Sequence, residues 1–273
     1  MRKIAATLLM ALLVGLIASA SAAEKVTVSG STTVLPLAEV EGEAFNGQQS
    51  DCQVTVTGGG TGAGITAAGE GRSDIAMASR TIKDSERSKY SKNNFQQFSI
   101  GYDGICIIVS KPIYDAGVKA ITKDQLKDIY VGKITNWKDL KGPDAEIYAI
   151  AREEGSGTRD TFNELIMGST TAETSGVKTV SMSSAEIKTA VVGSDKAIGY
   201  VGFSYAESGD VGILQYDGVN PNVANIKSGS YPLARHLYFY TWGQPTPCAQ
   251  KFIDFVLSPD GQKIADENGF VPI

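Results

Sequence analysis

Short apolar runs that alternate with segments of helical periodicity constrain the fold of this chain more than any other feature. Runs typical of strands include KVTVSG from residue 25, DIAMAS from residue 74 and AIGYVG from residue 197. Between such runs, segments such as VLPLAEVEGEAFN (34–46) repeat apolar residues at the spacing of a helix. Strands that alternate with helices predict an α/β protein with helices on both faces of its sheets.

Two of the apolar runs are candidates for chain crossings between two lobes. They are GICIIVS (104–110) and LYFYTW (237–242). On this interpretation, residues 23–105 and 240–273 form one discontinuous lobe, and residues 106–239 form the other.

Residues 1–22 have the pattern of a secretory signal peptide. Arg2 and Lys3 give a basic start, an apolar stretch follows, and ASA at 20–22 is a small-residue cleavage site. The alternative is a membrane anchor, but the apolar stretch is shorter than the ~20 residues of a spanning helix. No cysteine follows it that could carry a lipid. We therefore predict an exported, periplasmic protein without a lipid anchor.

Charge and cysteine content narrow the classes of partner. The formal net charge is -5, which disfavours a nucleic-acid partner because such partners need a basic face. In an oxidising compartment, Cys52, Cys106 and Cys248 allow one disulfide and one free thiol. Cys106 lies in an apolar run, so we expect it in the core. Widely spaced cysteines and a single histidine make a poor zinc set, so we predict no metal and no cofactor.

Three times in the chain, a strand is followed by a short loop of Gly, Ser and Thr and then by a helix. These loops are SGSTT (29–33), TGGGTGAG (57–64) and REEGSGTR (152–159). Backbone N–H groups at a helix N-terminus favour an anion, glycine lets the backbone approach it, and hydroxyls add donors. One such loop would more often be only a helix cap or a turn. Three of them, with Arg152 and Arg159 flanking the last, predict a shared anion site.

Nucleotide binding and catalysis are weaker interpretations of the same loops. The chain has no P-loop pattern, and the permissive match at Gly58, Gly60 and Ala63 lacks the acidic residue of a dinucleotide site. A phosphatase using Ser156 or Thr61 as nucleophile would need a base, and the single histidine falls inside a predicted strand. A small anion that is bound rather than turned over therefore fits best.

The loops resemble those of the phosphate-binding proteins of the phosphate-specific ABC transporter, and the resemblance covers nearly the whole chain after residue 22. SGSTTVLPL, TGGGTGAGI, DIAMASR and REEGSGTR carry it, together with FIDFVLSPDGQKIADENGF near the C-terminus. It implies two lobes, each a mixed sheet flanked by helices, that bind phosphate in the cleft between them. It also implies a monomeric receptor that passes phosphate to a membrane permease and is not an enzyme. The phosphate ligands that it implies are Ser31, Thr32, Thr33, Thr61, Ser79, Arg80, Arg152, Ser156, Gly157, Thr158 and Arg159.

The chain departs from the family at the end of the third strand. Some members end that strand in Ser-Asp, and the Asp accepts the proton of hydrogen phosphate. Here the strand ends in ASR, so Ser79 and Arg80 stand near that position. Asp103 is a candidate for the replacement proton acceptor, and the alternative is an exposed or capping Asp in a turn. The departure leaves sulfate, molybdate or another tetrahedral oxyanion as an alternative ligand.

Overall fold

The computed structural model describes residues 23–92 and 94–273 and confirms the predicted α/β class. The predicted signal peptide at residues 1–22 lies outside the described residues. The strands are β1 (Glu24–Gly30), β2 (Cys52–Gly58), β3 (Ile75–Ala78), β4 (Phe95–Val109), β5 (Ala120–Ile121), β6 (Tyr148–Arg152), β7 (Val177–Ser181), β8 (Ala197–Gly202), β9 (Gly212–Ile213), β10 (Gln215–Tyr216) and β11 (Ala234–Trp242). The helices are α1 (Leu35–Gln48), α2 (Thr61–Gly69), α3 (Asp84–Lys89), α4 (Lys111–Asp115), α5 (Lys123–Tyr130), α6 (Gly157–Phe162), α7 (Ser184–Val192), α8 (Phe203–Ala206), α9 (Val223–Lys227), α10 (Pro247–Leu257) and α11 (Pro259–Glu267). A 3₁₀ turn at Trp137–Leu140 and a π-helical turn at Asn163–Met167 complete the helical segments.

Strand β4 is longer than the sequence predicts and takes part in both lobes. Up to Gly104 it pairs antiparallel with β11, and from Ile105 onward it pairs antiparallel with β8. The first lobe therefore has the strand order β2-β1-β3-β11-β4, and the second has the order β4-β8-β6-β7. Each sheet is mixed, because β1 runs parallel to β2 and β3, and β6 runs parallel to β7 and β8.

The hydrophobic core is divided in the same way. One cluster takes all but one of its residues from positions 105–233. A second joins positions 26–100 to positions 237–270. The predicted boundary between 239 and 240 stays a prediction, but Leu237 already packs in the second of these clusters. The packing therefore favours a boundary a few residues earlier.

The registers of the parallel strands bring the loop-bearing ends to one edge of each sheet. In the first lobe, Gly30 pairs with both Gly58 and Met77 at the ends of β1, β2 and β3. In the second lobe, Arg152 pairs with Ser181 at the ends of β6 and β7. Gly30 has a φ of 136°, and a Cβ there would lie 2.3 Å from the Met77 carbonyl oxygen, so only glycine fits. The loops that follow these strands thus leave from neighbouring points.

A disulfide joins the two chain segments that make up the first lobe. Cys52 at the start of β2 is bonded to Cys248 on α10, with 5.6 Å between their Cα atoms. Cys106 is free and buried. The sequence allowed one disulfide without choosing the pair, and the buried position of Cys106 agrees with the expectation from its apolar run. Within residues 23–92 and 94–273, no helix has the length and apolar character needed to span a membrane.

The buried face of α1 contains one carboxyl group. Glu41 is fully buried on the same face as Leu37 and Phe45. Neither of its oxygens has a hydrogen-bond partner among the described residues. Burial alone raises the pKa of Glu41 from 4.5 to about 9, so the group is neutral at pH 7.

Candidate anion-binding site

The three predicted loops meet between the lobes. The hydroxyl oxygens of Thr33 and Thr158 are 2.8 Å apart and share a hydrogen bond across the lobes. The backbone N–H of Gly62 donates to the Gly155 carbonyl at 2.9 Å. The hydroxyl and arginine side chains predicted for the site are less than a tenth exposed, apart from that of Arg159, which is half-buried. The loops therefore form one enclosed, polar region.

Arg152, at the end of β6, spans this region. Its Nη2 donates to Thr32 Oγ1 at 2.9 Å, and its Nη1 donates to Ser184 Oγ at 3.0 Å. Its Nε and Nη2 donate to the carboxylate of Glu153, each at 2.8 Å. Arg152 is 2% exposed. Its guanidinium contacts the first lobe through Thr32, and its other partners belong to the second lobe.

The hydrogen bonds that Thr32 and Thr61 accept leave their hydroxyl protons available to donate. Thr32 Oγ1 accepts from Arg152 and, at 3.3 Å, from the Ser184 backbone N–H. These two bonds use both of its lone pairs, so its O–H can only donate. Thr61 Oγ1 accepts from the backbone N–H of Ser79 at 3.2 Å and lies 3.4 Å from Ser79 Oγ. Hydroxyls held in this way favour a ligand that accepts hydrogen bonds.

Gly157 allows the start of α6 to approach the first lobe. A Cβ at this position would lie 2.5 Å from Thr61 Oγ1 and 2.6 Å from Ser79 Oγ. Both distances are too short for any side chain, so the glycine brings the first N–H groups of α6 next to these hydroxyls. The predicted phosphate contact of the Gly157 backbone stays a prediction, and this packing supports it.

Ser31 and Ser156 stabilise their own loops. Ser31 Oγ accepts from the backbone N–H of Thr33 at 3.2 Å. Ser156 Oγ accepts from the backbone N–H of Arg159 at 3.2 Å and caps α6. Each hydroxyl keeps its proton to donate, so a contact with an anion remains compatible with both roles.

Arg80 is engaged in an ion-pair cluster next to the predicted ligands. Its Nε donates to Asp160 at 2.7 Å, and Nη1 and Nη2 donate to Glu86, each at 2.8 Å. A further bond from Nη1 reaches the Thr81 carbonyl, so four of its five N–H donors are used. Burial opposes the charge, but Glu86 and Asp160 raise the pKa of Arg80 above its ordinary value. Its predicted role as a phosphate ligand stays a prediction.

Asp103 lies inside β4 and is paired with a second buried arginine. Its Oδ2 accepts from Arg235 Nε at 2.9 Å and from Nη2 at 2.7 Å, and its Oδ1 accepts from the Phe203 N–H at 2.8 Å. Arg235 also donates to Ser79 O and to Thr158 Oγ1, each at 3.0 Å. Burial lowers the pKa of Arg235, Asp103 opposes this shift, and the charge of Arg152 adds to it.

Sequence reasoning missed three residues of this region. They are Glu153, Ser184 and Arg235. Ser184 follows β7 and begins α7, so SMSS at 181–184 is a fourth strand–hydroxyl–helix loop that the pattern of the other three could have revealed. Arg235 gave only a weak signal, which was a charged residue near the start of a mostly apolar strand. Glu153 stood inside the quoted loop without an assigned role.

The residues that a phosphatase would need are not brought together. His236 Nδ1 lies 2.9 Å from Ser99 Oγ, and its ring packs against Tyr102 and Tyr238. Within the part of the chain that the structure describes, no group of three or more His, Cys, Asp or Glu side chains could hold a metal ion. The region is therefore rich in donors for an anion but has no histidine base beside Ser156 or Thr61 among these contacts.

Known proteins have the same sequence pattern and the same fold. A family model for the PBP superfamily domain matches residues 18–260. The phosphate-binding protein PstS of Bacillus subtilis is 34% identical over 254 residues, which cover 92% of this chain and 82% of the relative. The PstS of Staphylococcus saprophyticus is 35% identical, over 89% of this chain and 79% of the relative. The chain belongs to the phosphate-binding proteins of ABC transporters.

Solved structures of this family agree with the fold. A substrate-binding protein from Clostridium perfringens, crystallised with bound phosphate, has a TM-score of 0.84 and 39% identity, and the match covers 92% of this chain and 100% of the other. A phosphate transport receptor from Vibrio cholerae has a TM-score of 0.74 and 31% identity, over 91% and 100% of the two chains. Phosphate-binding proteins of this family have two lobes and are transport receptors rather than enzymes, which agrees with both predictions for this chain.

Proposed function

We propose that this chain is an exported, monomeric receptor that binds inorganic phosphate between its two lobes and delivers it to a membrane-embedded ABC permease. The observation that carries the proposal is the bond from Arg152 Nη2 to Thr32 Oγ1, which joins the guanidinium of one lobe to a hydroxyl of the other. An anion at this point would meet the positive charge of the Arg152 guanidinium and the hydroxyl of Thr32, whose O–H can only donate. The bound phosphate in the Clostridium perfringens relative supports the choice of ligand.

The predicted ligands divide into three groups by their contacts. We assign the direct contacts to Ser31, Thr32, Thr33, Thr61, Ser79, Arg152, Ser156, Gly157 and Thr158. Arg159 is half-buried at the start of α6, where it adds positive charge to the loop. Arg80 we assign to lobe closure, because its Nε pairs with Asp160 of the other lobe while Nη1 and Nη2 pair with the carboxylate of Glu86. Export rests on the pattern of residues 1–22, and the periplasm is the expected compartment.

Calorimetry with phosphate, sulfate and molybdate tests the ligand. We expect phosphate to bind with a Kd of about 1 μM or lower, which corresponds to about 8 kcal/mol, and at least about a hundredfold more tightly than sulfate. Equal affinities for phosphate and sulfate would show that the protein is a general oxyanion receptor rather than a phosphate receptor. Steady release of phosphate from a phosphate monoester would favour the alternative that the protein is a phosphatase.

Arg152→Ala tests the position of the site. Loss of the buried guanidinium should weaken phosphate binding by at least about a hundredfold, while the far-UV circular dichroism stays native. Arg72→Ala is the matched control, because Arg72 is 62% exposed and pairs with Glu70 on the surface. Delivery is tested by phosphate uptake in cells that lack the protein and are complemented with either variant. Uptake restored by Arg152→Ala would contradict the proposal.

A further inference from the structure

Two large apolar side chains protrude at the end of β7, the edge strand of the second lobe. Met182 is 63% exposed and Val180 is 56% exposed, the two highest values among the large hydrophobic side chains that the structure describes. Ser181 between them is buried, so the alternation of an extended strand puts both apolar side chains on the same outward side. We call Val180 and Met182 the β7 patch.

The edge strand of the first lobe has a different outward surface. The exposed side chains of β2 are those of Gln53, Thr55 and Thr57, which are all polar. Polar residues at such positions keep their contact with water, whereas exposed apolar neighbours cost free energy until another surface covers them. The β7 patch is therefore typical of a surface that a partner contacts.

The β7 patch belongs to the loop that holds the anion site together. Ser184, two residues after Met182, accepts from Arg152 Nη1 at 3.0 Å, and its backbone N–H donates to Thr32 Oγ1 at 3.3 Å. The backbone N–H of Met182 donates to Glu186 on α7 at 2.7 Å, so the patch and the start of this helix are joined. A partner on the β7 patch would contact the loop through which Arg152 and Thr32 are connected.

The surroundings of the β7 patch indicate the chemistry of the partner. In the sheet order β4-β8-β6-β7, the patch lies on the opposite side of the sheet from β4, which joins the lobes. A cleft opens on the side away from the strands that join its lobes, so the patch lies where an anion would leave. Glu154 and Glu186 are exposed on the two segments beside it. An apolar partner surface with Lys or Arg around it would be complementary.

We propose that the β7 patch is the surface with which the second lobe docks onto the extracytoplasmic loops of the permease. This inference rests on the proposed function, because it names the surface that meets the permease of that proposal. Opening of the cleft has to break the bonds that Thr32 makes with Arg152 and Ser184. A permease seated on the β7 patch acts on the loop that carries Ser184, so docking and release of the anion are linked through this loop.

The double variant Val180→Lys, Met182→Lys tests the docking surface. Both side chains are more than half exposed, so the phosphate affinity measured by calorimetry should stay within about twofold of the wild type. Uptake at limiting phosphate, in cells that lack the protein and are complemented with the variant, should fall at least about tenfold. The reason is that two ammonium groups replace the apolar contact and repel a basic partner.

Val223→Lys, Ala224→Lys is the matched control. It adds the same two charges at exposed positions of α9, and Val223 is 41% exposed. Helix α9 packs where the lobes join, since a Cβ built on Gly104 of β4 would lie 2.8 Å from Ile226 Cδ1. This control should restore uptake to the wild-type level.

A photo-crosslinking amino acid in place of Met182 gives a measurement that does not depend on uptake. In membranes of the source cells, it should join the chain to a subunit of the permease, identified by mass spectrometry, and the same group at position 223 should not. A cross-link to a second copy of this chain or to lipid would overturn the inference. Full uptake by the Val180→Lys, Met182→Lys variant would also overturn it, and so would loss of its phosphate binding, because the patch would then act in the anion site.

Failure of the wild type has a different meaning. A wild-type protein that binds no phosphate, or that restores no uptake, would contradict the proposed function itself. The two failures are distinguishable, because the variants decide the inference only when the wild type binds and delivers phosphate.

Discussion

Asp160 Oδ2 accepts a hydrogen bond of 2.7 Å from Arg80 Nε, and this buried ion pair joins the two lobes. Arg80 follows β3 in the first lobe, and Asp160 lies on α6 in the second. Lys83 adds a second contact to the same carboxylate at 2.8 Å. We therefore expect Asp160→Asn to destabilise the closed arrangement and to weaken phosphate binding by about tenfold, with the same factor for sulfate.

Asp51→Asn is the control for this prediction. Asp51 pairs with Lys251, and both side chains are more than half exposed within the first lobe. Titration calorimetry should show no change in anion affinity for this variant. Small-angle scattering with saturating phosphate should show a larger radius of gyration for Asp160→Asn than for the wild type. An unchanged affinity in Asp160→Asn would show that the ion pair does not contribute to closure.

Asp103→Asn tests the candidate proton acceptor that the sequence suggested. The change removes the negative partner of Arg235, which is buried and also supports Ser79 and Thr158. Leaving that cation unpaired should lower the free energy of unfolding by about 3–5 kcal/mol, as measured by urea denaturation. Because Asp103 already accepts bonds from Arg235 and the Phe203 N–H, we expect the ratio of phosphate to sulfate affinity to stay at the wild-type value. A relaxed ratio in Asp103→Asn would instead support the role that the sequence predicted for Asp103.

Glu41 should make the stability of the protein fall with rising pH. Its carboxyl ionises near pH 4.5 in the unfolded chain, but burial raises its pKa to about 9 in the folded protein. Between these values the folded state binds one more proton, so this contribution to stability is present below about pH 4.5 and is lost as pH rises through about 9. At pH 7 the loss amounts to about 3 kcal/mol.

Glu41→Met tests this prediction, with urea denaturation at pH 5, 7 and 9. The variant should be more stable than the wild type by about 1–3 kcal/mol at pH 7, and the difference should grow toward pH 9. Glu43→Met on the exposed face of α1 is the control and should leave the slope with pH unchanged. A wild-type stability that does not fall between pH 5 and 9 would contradict the buried, neutral state of Glu41.

The disulfide between Cys52 and Cys248 should stabilise the first lobe. It closes a loop with a sequence separation of 196 residues, which limits the freedom of the unfolded chain. Replacing both cysteines by serine should lower the free energy of unfolding by about 2–5 kcal/mol. Reductant should destabilise the wild type to the same extent and leave the double variant unaffected. If reductant has no effect on the wild type, the bond does not contribute to stability.

The sequence predicted the elements of the fold better than their lengths. The start of α2 at Thr61 and that of α6 at Gly157 lie inside loops that the sequence assigned to the turns before these helices. Strand β4 begins at Phe95, nine residues before the predicted run, because its first part pairs with β11 and has a more polar, partly exposed face. An apolar run marks only the part of a strand that is buried on both sides, so the half-buried part gave no signal.

The sequence by itself determined the residue types at the strand ends, which are glycines, hydroxyl residues and Arg152. These residues lie in loops that precede helices, and such loops are specified by turn and capping preferences within a few residues. What only the tertiary structure decided was the partner of each charged group. Arg80 meets Asp160 across 80 positions, and Arg235 meets Asp103 across 132. Such pairings depend on how two lobes and long strands come together, and no local pattern encodes them.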